Sequence, residues 1–144
     1  MAIEYTLYVG FPSAESEIQR LIAEAWTASI DGMHVPSRRL MASVWSEPDT
    51  DEMIEKSCGV APSTRVFFTM HKGQDYDLAD ADMLEACLAV LRATPYDVAL
   101  TRDEQMLLLR RQGNTLIAND EFWRPELLDL VNILNHEERG VVRM

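Results

Sequence analysis

Several residue types that define common functional classes are scarce in this chain of 144 residues. It has only six glycines, and neither of the two common glycine-rich phosphate-binding patterns can be traced through them. The two cysteines, Cys58 and Cys87, are too few for a disulfide framework and do not form a CxxC pair. We expect both to be reduced, buried thiols in a cytoplasmic protein. These shortages argue against a nucleotide-binding loop and against a disulfide-stabilised secreted domain.

Basic residues are also few, with 13 Lys and Arg against 24 Asp and Glu, and the formal net charge is −11. A nucleic-acid or anionic-lipid surface requires the opposite charge, so both classes of partner are disfavoured. A basic protein partner fits this charge, because complementary charge speeds encounter. No apolar run approaches the roughly 18 residues of a membrane span, and the first residues alternate in polarity instead of forming a signal peptide.

Apolar periodicity predicts strands and helices in mixed order along the chain. Residues 3–10 alternate as a strand does, and Ser13 is the expected N-cap of a helix with an apolar stripe over residues 18–26. Further strands are predicted over residues 40–45 and 64–71, and the clearest amphipathic helix precedes Thr94-Pro95.

The clearest organisation lies between residues 95 and 124. Three short apolar runs, over residues 98–100, 105–110 and 115–118, are separated by turn-forming segments, which predicts a three-stranded meander. Trp123 is expected to pack the last helix, which opens at Pro125, on the sheet. The chain is therefore predicted to be a single α+β domain over residues 1–144, with a mainly antiparallel sheet, helices packed on one face and a C-terminal three-stranded meander.

Two acidic turns are the strongest candidates for a functional surface. The first carries Asp49, Asp51, Glu52 and Glu55, and the second carries Asp75, Asp77, Asp80 and Asp82. Such oxygen ligands suit calcium or magnesium, but the second turn lacks the glycine and the glutamate of the calcium-loop pattern. Two interpretations remain: carboxylates that complement a helix dipole, or a contact surface for a basic partner. We predict no metal and no cofactor.

Reactive groups are not arranged in a recognisable catalytic pattern. The three histidines lack the spacing of a metal site, and no G-x-S-x-G sequence occurs. His71 with Asp75 is the one candidate acid–base pair, the basis for a hydrolase hypothesis. Arg110 and Arg111 either grip an anion, or one faces solvent in a strand and the other lies beside a turn. The expected function is therefore binding, not catalysis.

The order of segments resembles the Sit-type immunity protein family of bacterial polymorphic-toxin systems. The resemblance rests on a long amphipathic helix, then DVAL at 97–100, DE at 103–104, LLLRR at 107–111, LIAN at 116–119 and FW at 122–123, with MAIEY at 1–5. It covers mainly residues 1–10 and 76–125, and it departs at Arg102-Asp103, where an Asn-Gly-type pair is favoured in the family.

The resemblance implies a cytoplasmic protein that binds a cognate, basic toxin domain and neutralises it by stoichiometric occlusion. The eight acidic residues of the two turns are then the predicted contact surface. Two other hypotheses remain from the residues alone. One is a non-catalytic adaptor or subunit of a host complex, and the other is a small metal-dependent hydrolase that uses His71.

Overall fold

One mixed sheet and four helices form the part of the chain that the computed structural model describes, namely residues 3–46, 52–73, 75–134 and 139–141. The strands are β1 (Tyr5–Gly10), β2 (His34–Pro36), β3 (Leu40–Ser46), β4 (Pro62–Met70), β5 (Val98–Arg102), β6 (Met106–Gln112), β7 (Thr115–Ala118) and β8 (Arg139–Val141). The helices are α1 (Glu15–Trp26), α2 (Glu52–Cys58), α3 (Tyr76–Ala93) and α4 (Pro125–Leu134). The spatial strand order is β2-β3-β4-β1-β5-β6-β7-β8. All neighbours pair antiparallel except β7 and β8, which are parallel.

The two faces of the sheet bury different sets of side chains. Leu7 and Val9 of the central strand β1 belong to the main core with residues of α1, α3 and α4. Tyr8 points to the opposite face and packs in a smaller cluster with Cys58 at the end of α2. The predicted α+β class and antiparallel sheet are confirmed, with α1, α3 and α4 on one face. The structure adds that α2 packs on the other.

The predicted meander is formed by β5, β6 and β7. Its first turn lies where the sequence departs from the Asn-Gly-type pair. Asp103 and Glu104 adopt left-handed φ angles of 52° and 58°, the geometry of a primed hairpin turn. The Glu4 N–H donates to the Asp103 carboxylate at 2.8 Å, and the Asp103 N–H donates to the Glu4 carbonyl at 2.7 Å. These bonds to the start of β1 hold a turn that neither glycine nor asparagine occupies.

The edge strand β2 is closed to pairing with another chain. The His34 N–H donates to the Asp31 carbonyl at 2.9 Å, and the His34 carbonyl accepts from the Asp31 N–H at 2.8 Å. Pro36, the last residue of β2, has no N–H to donate. Such devices prevent edge-to-edge association. The backbone of β2 therefore offers no open edge to which a further strand could be added.

Ser13 is not the N-cap of α1, so that prediction was wrong. Ala14 occupies the N-cap position without a side-chain cap. The Ser13 hydroxyl is buried instead, and it lies 3.1 Å from the Val9 carbonyl, 2.7 Å from the Ser63 hydroxyl and 3.0 Å from the Thr64 hydroxyl. Since β4 pairs beside β1, tertiary neighbours supply bonds that compete with the local cap.

Arg111 neither grips an anion nor lies free beside a turn. Its guanidinium donates to the carbonyls of Leu91, Thr94 and Tyr96 at 2.6–3.0 Å. Burial lowers the pKa of Arg111, and the nearby Asp97 carboxylate opposes that shift. The side chain therefore satisfies orphan carbonyls at the C-terminal end of α3 and joins that end to the chain entering β5.

Candidate partner-binding surfaces

Two carboxylates of the second acidic turn are engaged within the protein. Asp75 is the N-cap of α3, and its side chain accepts from the N–H groups of Asp77 and Leu78 at 2.9 and 3.3 Å. Asp82 lies 2.9 Å from the guanidinium of Arg39, and both side chains are largely buried. These two residues stabilise the start of α3 and its contact with the β2–β3 hairpin. Of the four carboxylates of the second turn, Asp77 and Asp80 remain as candidates for contact with a partner.

Asp77 and Asp80 lie where the first turns of α3 meet the start of α4. The Asp77 side chain is 70% exposed and stands 3.8 Å from Arg124, which also lies 3.4 Å from Glu126. Asp80 is more buried. Burial first, and the negative charge of Asp77 second, raise the pKa of Asp80 to about 6, although Arg124 and Arg102 oppose the shift. The Asp80 carboxylate is therefore ionised at neutral pH at some expense to stability.

Asp80→Asn is expected to make the protein more stable at pH 7.5 by about 1 kcal/mol, since the amide removes a partly buried charge that water only partly screens. Because the pKa of Asp80 is raised in the folded state, protonation of this carboxylate stabilises the protein. The stabilisation is complete below pH 3.8 and is lost as the pH rises through about 6. The difference in unfolding free energy between variant and wild type should therefore close by pH 4. Urea unfolding across pH 4–8 measures it, with Asp129→Asn as an exposed-charge control. A difference in unfolding free energy that does not change with pH would contradict this account.

The described carboxylates of the two acidic turns do not share one surface. Asp49 and Asp51 lie outside the described residues. Glu52 and Glu55 are exposed on α2, which packs on the sheet face opposite to α3. The structure therefore separates the described carboxylates of the first turn from those of the second. Their contact with a partner stays a prediction.

The described contacts do not join the reactive side chains singled out in the sequence. The His71 N–H donates to the Arg39 carbonyl at 2.9 Å, and the described contacts include no hydrogen bond from its ring to Asp75. Cys58 and Cys87 are free and buried on opposite faces of the sheet, as expected for reduced thiols, and burial raises the pKa of Cys87. Among the described residues, no three His, Cys, Asp or Glu side chains are grouped to hold a metal ion. Nor does any described helix have the length and apolarity to cross a membrane.

Trp123 and Trp45 have different environments. Trp123 is 3% exposed and donates its indole N–H to the Leu108 carbonyl at 2.8 Å, so the prediction of a structural clamp is confirmed. Trp45 is 45% exposed and contacts Phe67 edge to face with ring centres 6.4 Å apart. Trp45 is therefore a surface residue with one aromatic neighbour.

A cleft that the sequence did not reveal lies at the end of the sheet where β1 ends and β5 begins. Its volume is about 460 Å³, and it is lined by Gly10, Phe11, Pro12, Ala61, Pro95, Tyr96 and Asp97. These residues come from three distant segments, so no local pattern could have brought them together. The cleft lies beyond Thr94, the C-cap of α3, whereas Asp75 is the N-cap at the other end of this 18-residue helix. The length of the helix, about 27 Å, therefore separates the cleft from Asp75.

Comparison with known proteins gave one match. A family model described as SitI3-like matches residues 3–127, a span that includes residues 28–64, which contributed nothing to the resemblance noted in the sequence. No curated protein and no solved structure matches the chain.

Proposed function

We propose a function from one premise, that the chain belongs to the SitI3-like family, whose model matches residues 3–127. The protein is an immunity protein: it binds a cognate toxin domain and neutralises it by occupying the surface that the toxin needs. The family match is the observation that carries this proposal. The proposed role requires neither a catalytic group nor a cofactor from this chain, and we propose that the protein acts in the cytoplasm, where it meets its toxin.

The charge of the chain supports a basic toxin domain as the partner. A net charge of −11 creates a field that attracts a basic protein and raises the rate of encounter. Exposed carboxylates on both α2 and α3 spread this field over two sides of the molecule. Attraction therefore acts over much of the surface, whereas the tight contact has to be made at one place.

The first test is a tagged pull-down from the native host in moderate salt, followed by mass spectrometry. We expect one basic domain in about equal amount, and we expect its toxicity to fall as the two proteins approach a one-to-one ratio. Recovery of a constitutive host complex, without a toxin, would favour the adaptor hypothesis instead. Metal-dependent thermal stabilisation that is abolished by His71→Ala would favour the hydrolase.

Because the described carboxylates of the two acidic turns lie on elements that pack on opposite faces of the sheet, they can be tested separately. Neutral pairs Glu52→Gln with Glu55→Gln, and Asp77→Asn with Asp80→Asn, avoid the structural carboxylates Asp75 and Asp82. We expect the pair nearer the toxin to lower the association rate constant about threefold to tenfold at low salt, with a smaller difference at high salt. Surface plasmon resonance against the captured toxin domain measures both rates. Unchanged rates for both pairs would show that these four carboxylates do not take part.

A further inference from the structure

The side chain of Phe11 is exposed to solvent, and packing within the fold does not account for this exposure. It is 79% exposed, the largest value among the exposed large apolar side chains of the described residues. A phenylalanine so placed gains little from the core and leaves apolar surface in water. Large aromatic side chains in this situation are common anchors of protein interfaces.

The turn that carries Phe11 is held rigidly by backbone bonds to two other segments. The Phe11 N–H donates to the Ala61 carbonyl at 3.1 Å, and the Gly10 N–H donates to the Asp97 carbonyl at 2.7 Å. The Ser63 hydroxyl also lies 2.8 Å from the Ser13 carbonyl. A Cβ atom on Gly10 would stand 3.1 Å from the Asp97 carbonyl, so glycine permits this close approach. The aromatic ring is therefore presented on a preorganised support, which lowers the entropy cost of binding.

The walls of the cleft combine apolar surface with negative charge. Pro12, Pro95 and Tyr96 supply the apolar part, and none of the described residues that line the cleft is Lys or Arg. Asp97 adds a carboxylate, whose Oδ1 also accepts from the Gly113 N–H at 2.8 Å. Outside the lining, Glu17 at the start of α1 accepts a hydrogen bond from the Tyr96 hydroxyl. The complementary surface is an apolar pocket beside a Lys or Arg side chain.

We propose that this cleft is the docking site for the basic toxin domain, with Phe11 as the anchor that enters an apolar pocket of the toxin. Asp97 and Glu17 meet a basic side chain beside that pocket. This inference rests on the proposed function and names the surface that performs it. The edge strand β2 is a weaker candidate, because its backbone is closed to strand pairing.

The test compares Phe11→Ala with Met53→Ala, using the purified toxin domain recovered by the pull-down. Met53 on α2 is 77% exposed, so the two variants remove apolar side chains of nearly equal exposure, one from the turn after β1 and one from α2. We expect Phe11→Ala to raise the dissociation constant about 30-fold and Met53→Ala to change it less than threefold, both by isothermal titration calorimetry. Both melting temperatures should stay within about 2 °C of wild type, since neither side chain is buried.

A photoreactive side chain in place of Phe11 gives a second readout that does not depend on the alanine variant. Crosslinking to the toxin from position 11, and none from position 53, would support the docking site. Wild-type affinity in Phe11→Ala, or crosslinking from position 53 alone, would overturn the site while the immunity function stands. Failure of the wild-type protein to bind and neutralise any toxin domain would instead overturn the proposed function, and this site with it.

Discussion

Trp123→Ala is expected to lower the free energy of unfolding by about 3–5 kcal/mol, the range for deleting a large aromatic side chain from a core. The indole is 3% exposed and packs with Phe122 at a ring-centre distance of 4.7 Å. Its N–H donates to the Leu108 carbonyl of β6, so the deletion opens a cavity and removes the donor bound to a buried carbonyl. Trp123 also lies directly before α4, and the last helix should lose its packing on the sheet first.

Trp45→Ala is the matched control, because it removes the same side chain from a site that is 45% exposed. Its expected effect is about 1 kcal/mol, mainly from the lost contact with Phe67. Urea unfolding followed by far-UV circular dichroism measures both variants. Equal destabilisation by the two substitutions would contradict the clamp role assigned to Trp123.

Arg111→Ala is expected to destabilise the protein by about 3 kcal/mol, because three backbone carbonyls lose a charged donor at once. Arg111→Lys should recover only part of the loss, since an ammonium group is a point charge and lacks the fork that reaches several acceptors. Arg110→Ala is the control. Arg110 is the neighbouring residue in β6 and is partly buried like Arg111, but the described contacts include no hydrogen bond or ion pair of its guanidinium. Its loss should therefore fall within about 0.5 kcal/mol.

Hydrogen exchange shows where in the structure the Arg111→Ala substitution acts, in addition to how large its effect is. Amides in the last turn of α3 should exchange faster in Arg111→Ala, whereas those of β3 and β4 should follow only the global change in stability. Arg111 also donates to the carbonyls of Thr94 and Tyr96, which flank one wall of the cleft that Phe11 lines. We therefore expect weaker toxin binding as well. Unchanged exchange at the end of α3 would show that Arg111 does not hold that segment.

The amino-acid sequence by itself determined the features that depend on neighbours along the chain. The meander followed from apolar runs of strand length separated by turn-forming residues, and the three strands form there. Asp75 precedes an amphipathic stretch, and it caps α3 through bonds to residues two and three positions further on. The excess of acidic residues was likewise readable from composition alone, as was the family resemblance from the order of short segments.

Only the tertiary structure decided which residues of distant segments meet. β1 pairs between β4 and β5, which brings Gly10 and Phe11 against Ala61 and Asp97 and so creates the cleft. The same pairing gives Ser13 partners in β4 in place of a helix cap, and it puts α2 and α3 on opposite faces of the sheet. Local propensity acts over a few residues. These contacts join positions about 50 to 90 apart in sequence, where strand register and sheet order govern which side chains meet.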